Sequence, residues 1–200
     1  MQSDSGRSRS SPDPERLLRI YLNDHYAGSA GGVALVRRMA RVHRGGPAGP
    51  RLRQLADEIA EDRRSLGELM RALDVSVRRT RTLPVRFAEK IGRAKFNGRL
   101  VSRSPLSDVL ELEALRLGVE GKLALWRSLR NLARTDGRLD PGTLDRLAAR
   151  AERQIELVEG LRLAAVDRTF TPGSRPPLHQ SVIGRRPRLH HPFHGAGWAS

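Results

Sequence analysis

Leu52, Leu55, Ile59, Asp62, Leu66, Leu69 and Leu73 follow one another at intervals of three and four residues. That spacing returns to one face of an α-helix, so it predicts a helix over about 51–73 with a seam that another apolar surface must cover. Asp62 is the only polar residue on the seam. A carboxylate there has to find a cation, a metal or several donors, because leaving one buried and unpaired costs several kcal/mol.

Three more helices are punctuated in the same chain. Asp13, Pro14 and Glu15 supply an N-cap acceptor, a ring pre-set for the first turn and an acid near the positive dipole end, and the helix they open runs to "RGGPAGP" at 44–50. Ser104 and Pro105 open a third helix, which stops at "TDGRLD". Asp140 and Pro141 open a fourth, over about 142–167, which ends before "TPGSRPP". The connections within the first and second pairs are short, while roughly thirty residues separate the second helix from the third, giving the order hairpin, crossover, hairpin.

That order resembles the ferritin-like four-helix bundle over about residues 14–168, and the fold class expected is all-α. The resemblance implies a carboxylate-rich mid-bundle site, although the Glu-x-x-His of the di-metal members does not occur here. The segments "YLNDHYAG" and "SPLSDVLELEALRLGVEGKLALWRSL" are similar to an uncharacterised family of actinobacterial helical proteins, a likeness that implies no activity. The domain expectation is a disordered N-terminus over 1–12, a bundle over 13–170 with its crossover at 74–104, and a disordered basic tail over 171–200 rich in His and Pro.

With 200 residues, 38% of them apolar and only 4% aromatic, the chain can bury one largely aliphatic core. The absence of cysteine excludes disulfides, thiolate metal sites and cysteine nucleophiles. No apolar leader and no long apolar run is present, so cytoplasmic is the default location. The net charge is +15. Nearly all the bases are arginine, Lys90, Lys95 and Lys122 being the only lysines, a skew that a GC-rich genome also produces.

Two adjacent seams can be drawn on the first helix: Leu18, Leu22, His25, Ser29, Gly32 and Val36, and beside them Leu17, Tyr21, Asp24, Gly28, Gly31 and Leu35. Asp24 and His25 therefore point inward or to the edge of the core. The glycines each cost about 1 kcal/mol of helix propensity relative to alanine, so close packing or a kink is expected to compensate. If the third and fourth helices fold about residue 137 or 138, Glu113 lies level with Arg162 and Arg116 level with Glu159, which gives two core ion pairs from spacing alone. On that footing the loss of Arg116 would leave Glu159 buried without a partner. A crossover that spans the bundle puts Asp62 near Arg116 and gathers Asp62, Glu113, Glu120 and Glu159 in one layer with two bases. The same arithmetic places Asp24 roughly 13 Å from Asp62, at 1.5 Å per residue.

Three functional readings follow. The first is a non-catalytic structural or interaction protein with an ion-paired polar core layer, which needs no cofactor. The second is a carboxylate metal protein using Asp62, Glu113, Glu120 and Glu159 with His25, and iron or manganese as its cofactor. The third rests on the crossover, where nine basic residues between 76 and 103 stand against Glu89 alone. Arg86, Lys90, Arg93, Lys95 and Arg99 would there hold nucleic acid or an anionic membrane without reading sequence. A small-ligand pocket and a homo-oligomer stay open. "GSAGG" lacks the Lys-Ser/Thr of a phosphate-binding loop, and no Ser, His and acid are spaced as a triad.

Overall fold

The computed structural model describes residues 13–77 and 104–171. Among them are four α-helices and no strand: α1 (Pro14–Val42), α2 (Gly49–Ala72), α3 (Pro105–Leu132) and α4 (Pro141–Phe170). The expected N-terminal and C-terminal tails and most of the basic crossover lie outside the described residues. No described helix is long and apolar enough to cross a membrane.

The helix starts have local causes. The Asp13 carboxylate accepts from the Glu15 N–H at 3.1 Å, and that of Asp140 accepts from the Gly142 and Thr143 N–H groups at 3.2 and 2.9 Å, which satisfies orphan donors of the first turn. Ser104, expected in the same role, makes no such bond. α2 begins at Gly49, two residues before the expected Arg51. A Cβ on Gly49 would come within 2.6 Å of the His43 carbonyl oxygen, so the tight turn out of α1 admits only glycine there.

α1 packs antiparallel on α2, α3 on α4, and α1 on α3. The last contact is drawn together near both ends. Tyr21 approaches Ser128 at 3.4 Å, while Arg38 meets Glu111 and His43 meets Asp108, each at 3.1 Å. Because α2 and α3 are each antiparallel to α1, they point the same way. The core between the helices is aliphatic, with Leu22, Met39, Leu55, Leu129 and Val158 fully buried, and Trp126 is its largest member.

α2 ends in a paired cap: the Val75 N–H donates to the Met70 carbonyl at 2.8 Å and the Asp74 N–H to the Arg71 carbonyl at 3.1 Å. Val75 is buried beneath the turn, and Asp74 takes a left-handed backbone with φ of 56°. Glycine adopts that conformation without a Cβ penalty. Asp74→Gly is therefore expected to stabilise the protein by about 0.5–1 kcal/mol in urea denaturation, against the loss of an exposed contact with Arg138.

Candidate functional site

Asp62 is 2% exposed and sits where three helices converge. From α3 the Lys122 ammonium donates to its Oδ2, and from α4 Arg150 Nε donates to its Oδ1 at 2.8 Å. Gln154 of α4, 1% exposed, donates from Nε2 to Asp62 Oδ2 at 3.2 Å and to Glu58 Oε2 at 3.0 Å, and its own Oε1 accepts from Lys122. Two acids and two bases thus close a neutral node around a buried carboxylate. Burial pushes the Lys122 amine below the ordinary lysine range, with the Asp62 charge opposing that shift. Asp62 meets Lys122 and Arg150, not Arg116, because Lys122 lies nearly two turns farther along α3 and its stem reaches inward.

The expected mid-bundle layer is accordingly divided. Glu159 is held by Nε and Nη2 of Arg162, at 2.8 and 2.6 Å, which keeps its carboxyl below the usual range. Arg116 Nε stands 3.6 Å from Glu159, Arg162 Nη1 3.8 Å from Glu113, and Arg116 Nη2 3.5 Å from Glu120. These side chains are between 22% and 48% exposed, so they form a flank of the α3–α4 pair and not a core layer. Removing Arg116 leaves Glu159 its Arg162 partner. The five residues expected to share a metal, Asp62, Glu113, Glu120, Glu159 and His25, do not come together. Among the described residues no group of three His, Asp or Glu is placed to hold a metal ion, and the carboxylates that might have done so are already neutralised by Lys122, Arg150 and Arg162. Arg86, Lys90, Arg93, Lys95 and Arg99 lie outside the described residues.

What the Asp62 node borders is a cavity of about 260 Å³ between α1, α2 and α3. Its wall on α1 runs from Asp24 to Leu35, three turns or about 16 Å. Gly28, Gly31 and Gly32 of α1 face Gly118 and Gly121 of α3 across it, and a Cβ built on any of the five would meet no atom within 4 Å. These glycines do not permit close packing; they hold a space open. Leu35, Ile59, Leu66, Leu115 and Leu125 make the remaining wall mostly aliphatic. Trp126 belongs to it as well, and its indole N–H is buried without an acceptor.

Asp24 and His25 join Asp62 in lining this one elongated cavity. His25 meets Tyr21 edge-on, ring centroids 4.6 Å apart. Arg63 lies along the same wall. Its guanidinium stacks 3.9 Å above the Tyr26 ring and donates to the Tyr26 carbonyl and the Ser29 hydroxyl. Gly67 gives the ring its seat, since a Cβ there would stand 3.4 Å from Tyr26.

Two outcomes follow. Asp62→Ala is expected to destabilise by about 3–5 kcal/mol, because Lys122 and Arg150 lose their shared anion, whereas Asp62→Leu combined with Lys122→Met and Arg150→Met recovers most of that loss in urea denaturation. Burial also pushes the His25 imidazole below its ordinary 6.5, against the pull of Asp24. The unfolded chain then takes up a proton near 6.5 that the folded chain accepts only at lower pH, so stability falls as pH drops below 6.5. His25→Gln should flatten that part of the stability profile between pH 7 and 5. Comparison of the chain with protein-family models, with curated proteins and with solved structures finds no match.

Proposed function

We propose that this protein is a non-catalytic helical bundle, ferritin-like in its hairpin, crossover, hairpin order, whose role is to hold a small apolar ligand between α1, α2 and α3. The antiparallel pairing of α1 with α2, of α3 with α4 and of α1 with α3 supports the ferritin-like reading of the topology. The observation that carries the function is the set of five glycines around the cavity. Each sits inside a helix, each gives up about 1 kcal/mol of propensity relative to alanine, and none is required by a neighbouring atom. Expense of this kind in helix interiors, with no packing reason, marks a site where function overrides stability. Pockets in bundles form between helices, are predominantly apolar and carry a few polar groups that orient the guest, and this one has Asp62, Lys122 and Arg63 in those places. Asp62, Lys122 and Arg150 beside it satisfy one another, which suits retention of a guest better than turnover.

Filling the cavity is the direct test. The triple substitution Gly28→Ala, Gly31→Ala and Gly32→Ala is expected to raise stability, by about 0.5–1 kcal/mol per site. 1-Octanol should shift the Trp126 indole N–H resonance of the unmodified chain, and Gly28→Leu with Gly118→Leu should abolish that shift while the protein stays folded. A chain whose indole resonance is unmoved by octanol up to its solubility would overturn the reading.

A further inference from the structure

The geometry points to an anionic ligand: an aliphatic chain ending in one carboxylate, lying along the glycine-walled cavity with its head group on Arg63. This inference rests on the cavity being a ligand site, as proposed above, and adds the chemical class of the guest.

Arg63 is the reason. It is half-buried in the cavity wall, and no carboxylate of the described residues lies within salt-bridge distance of it. The other bases near the cavity differ in this respect: Lys122 and Arg150 share Asp62. Three contacts fix the Arg63 guanidinium in advance, the stack on Tyr26 and the donations to the Tyr26 carbonyl and the Ser29 hydroxyl. All three leave its formal charge uncompensated. A guanidinium whose rotamer is already set loses little freedom on binding, and its planar fork matches a carboxylate. Neither acid of the wall offsets the Arg63 charge, since the Asp62 carboxylate is taken up by Lys122 and Arg150 and Asp24 is exposed to solvent, where its charge is screened.

Shape and size select the body of the guest. The wall is three helical turns long, and its members are glycine and aliphatic side chains for most of that length. An apolar cavity of about 150 Å³ is known to hold benzene, with six non-hydrogen atoms. A volume of about 260 Å³ is then matched to a guest of about ten, such as a straight eight-carbon chain with its carboxylate. Leu117, 60% exposed, stands at the rim where the chain would enter.

Three probes with one tail separate the possibilities: octanoate, 1-octanol and octylammonium, each titrated into the full chain at fixed ionic strength and followed by the Trp126 indole resonance. Octanoate is expected to bind about tenfold more tightly than octanol, and octylammonium more weakly than either. Arg63→Met should bring octanoate down to the octanol affinity and leave octanol unchanged, which separates the head-group contact from general attraction to a basic protein. Ser29→Ala keeps the charge but loosens its placement, so it should reduce the octanoate preference only in part, and it serves if Arg63→Met fails to fold. Octanol binding as tightly as octanoate, or an octanoate preference that survives both substitutions, would overturn the anionic assignment and leave the apolar site standing. Failure of all three probes to bind would overturn the site itself.

Discussion

A carboxylate at 2% exposure cannot be left alone, and the way Asp62 is neutralised organises three of the four helices. α2 brings the anion, α3 an ammonium, and α4 a guanidinium and a carboxamide, and their donors converge on two oxygen atoms. Ion pairs of this kind add little net stability over apolar packing of the same volume, yet a wrong register leaves a buried charge uncompensated. The node therefore acts as a register pin: it fixes the height of α3 and α4 against α2. α1 contributes nothing to it, and the cavity opens on the side where α1 passes.

α1 is attached by different means. On α2 it packs through aliphatic residues and through Tyr26, which rests on Gly67 and carries Arg63 above it. On α3 it is drawn in near its ends by Tyr21 with Ser128, and by Arg38 and His43 with Glu111 and Asp108. Between those ends the two helices present glycines to the cavity, and a Cβ built on any of them would meet no atom within 4 Å. The same polar pinning that holds α3 on α2 and α4 thus allows α1 to stand away from it without the bundle collapsing inward.

The helices were legible because their punctuation is chemical. Asp-Pro at 13–14 and 140–141, and Pro105, mark starts that the structure reproduces, while α2 begins earlier than its seam because Gly49 meets a close-lying carbonyl that spacing does not reveal. Depth was not legible. Glu113 with Arg162 and Arg116 with Glu159 stand at the same height, yet they lie on a half-exposed flank, since a hairpin's register is silent about rotation of each helix around its axis. Lys122 falls beside the apolar face of α3 and was missed for that reason. One signal pointed to it: it is the only lysine outside the basic crossover in a chain otherwise furnished with arginine. The glycines gave an ambiguous mark, because helices that touch closely and helices that enclose a void both remove their side chains.

The void between α1 and α3 has a consequence for how this protein would behave in a cell. An aliphatic guest would put carbon against the glycine faces and fill the gap between those two helices. Its apolar surface would then count toward folding in the same way as a leucine's, and the free energy of unfolding would grow with the logarithm of guest concentration. The amount of intact protein, and its resistance to proteolysis, would follow the supply of that molecule, so that the bundle reports on its guest through its own persistence.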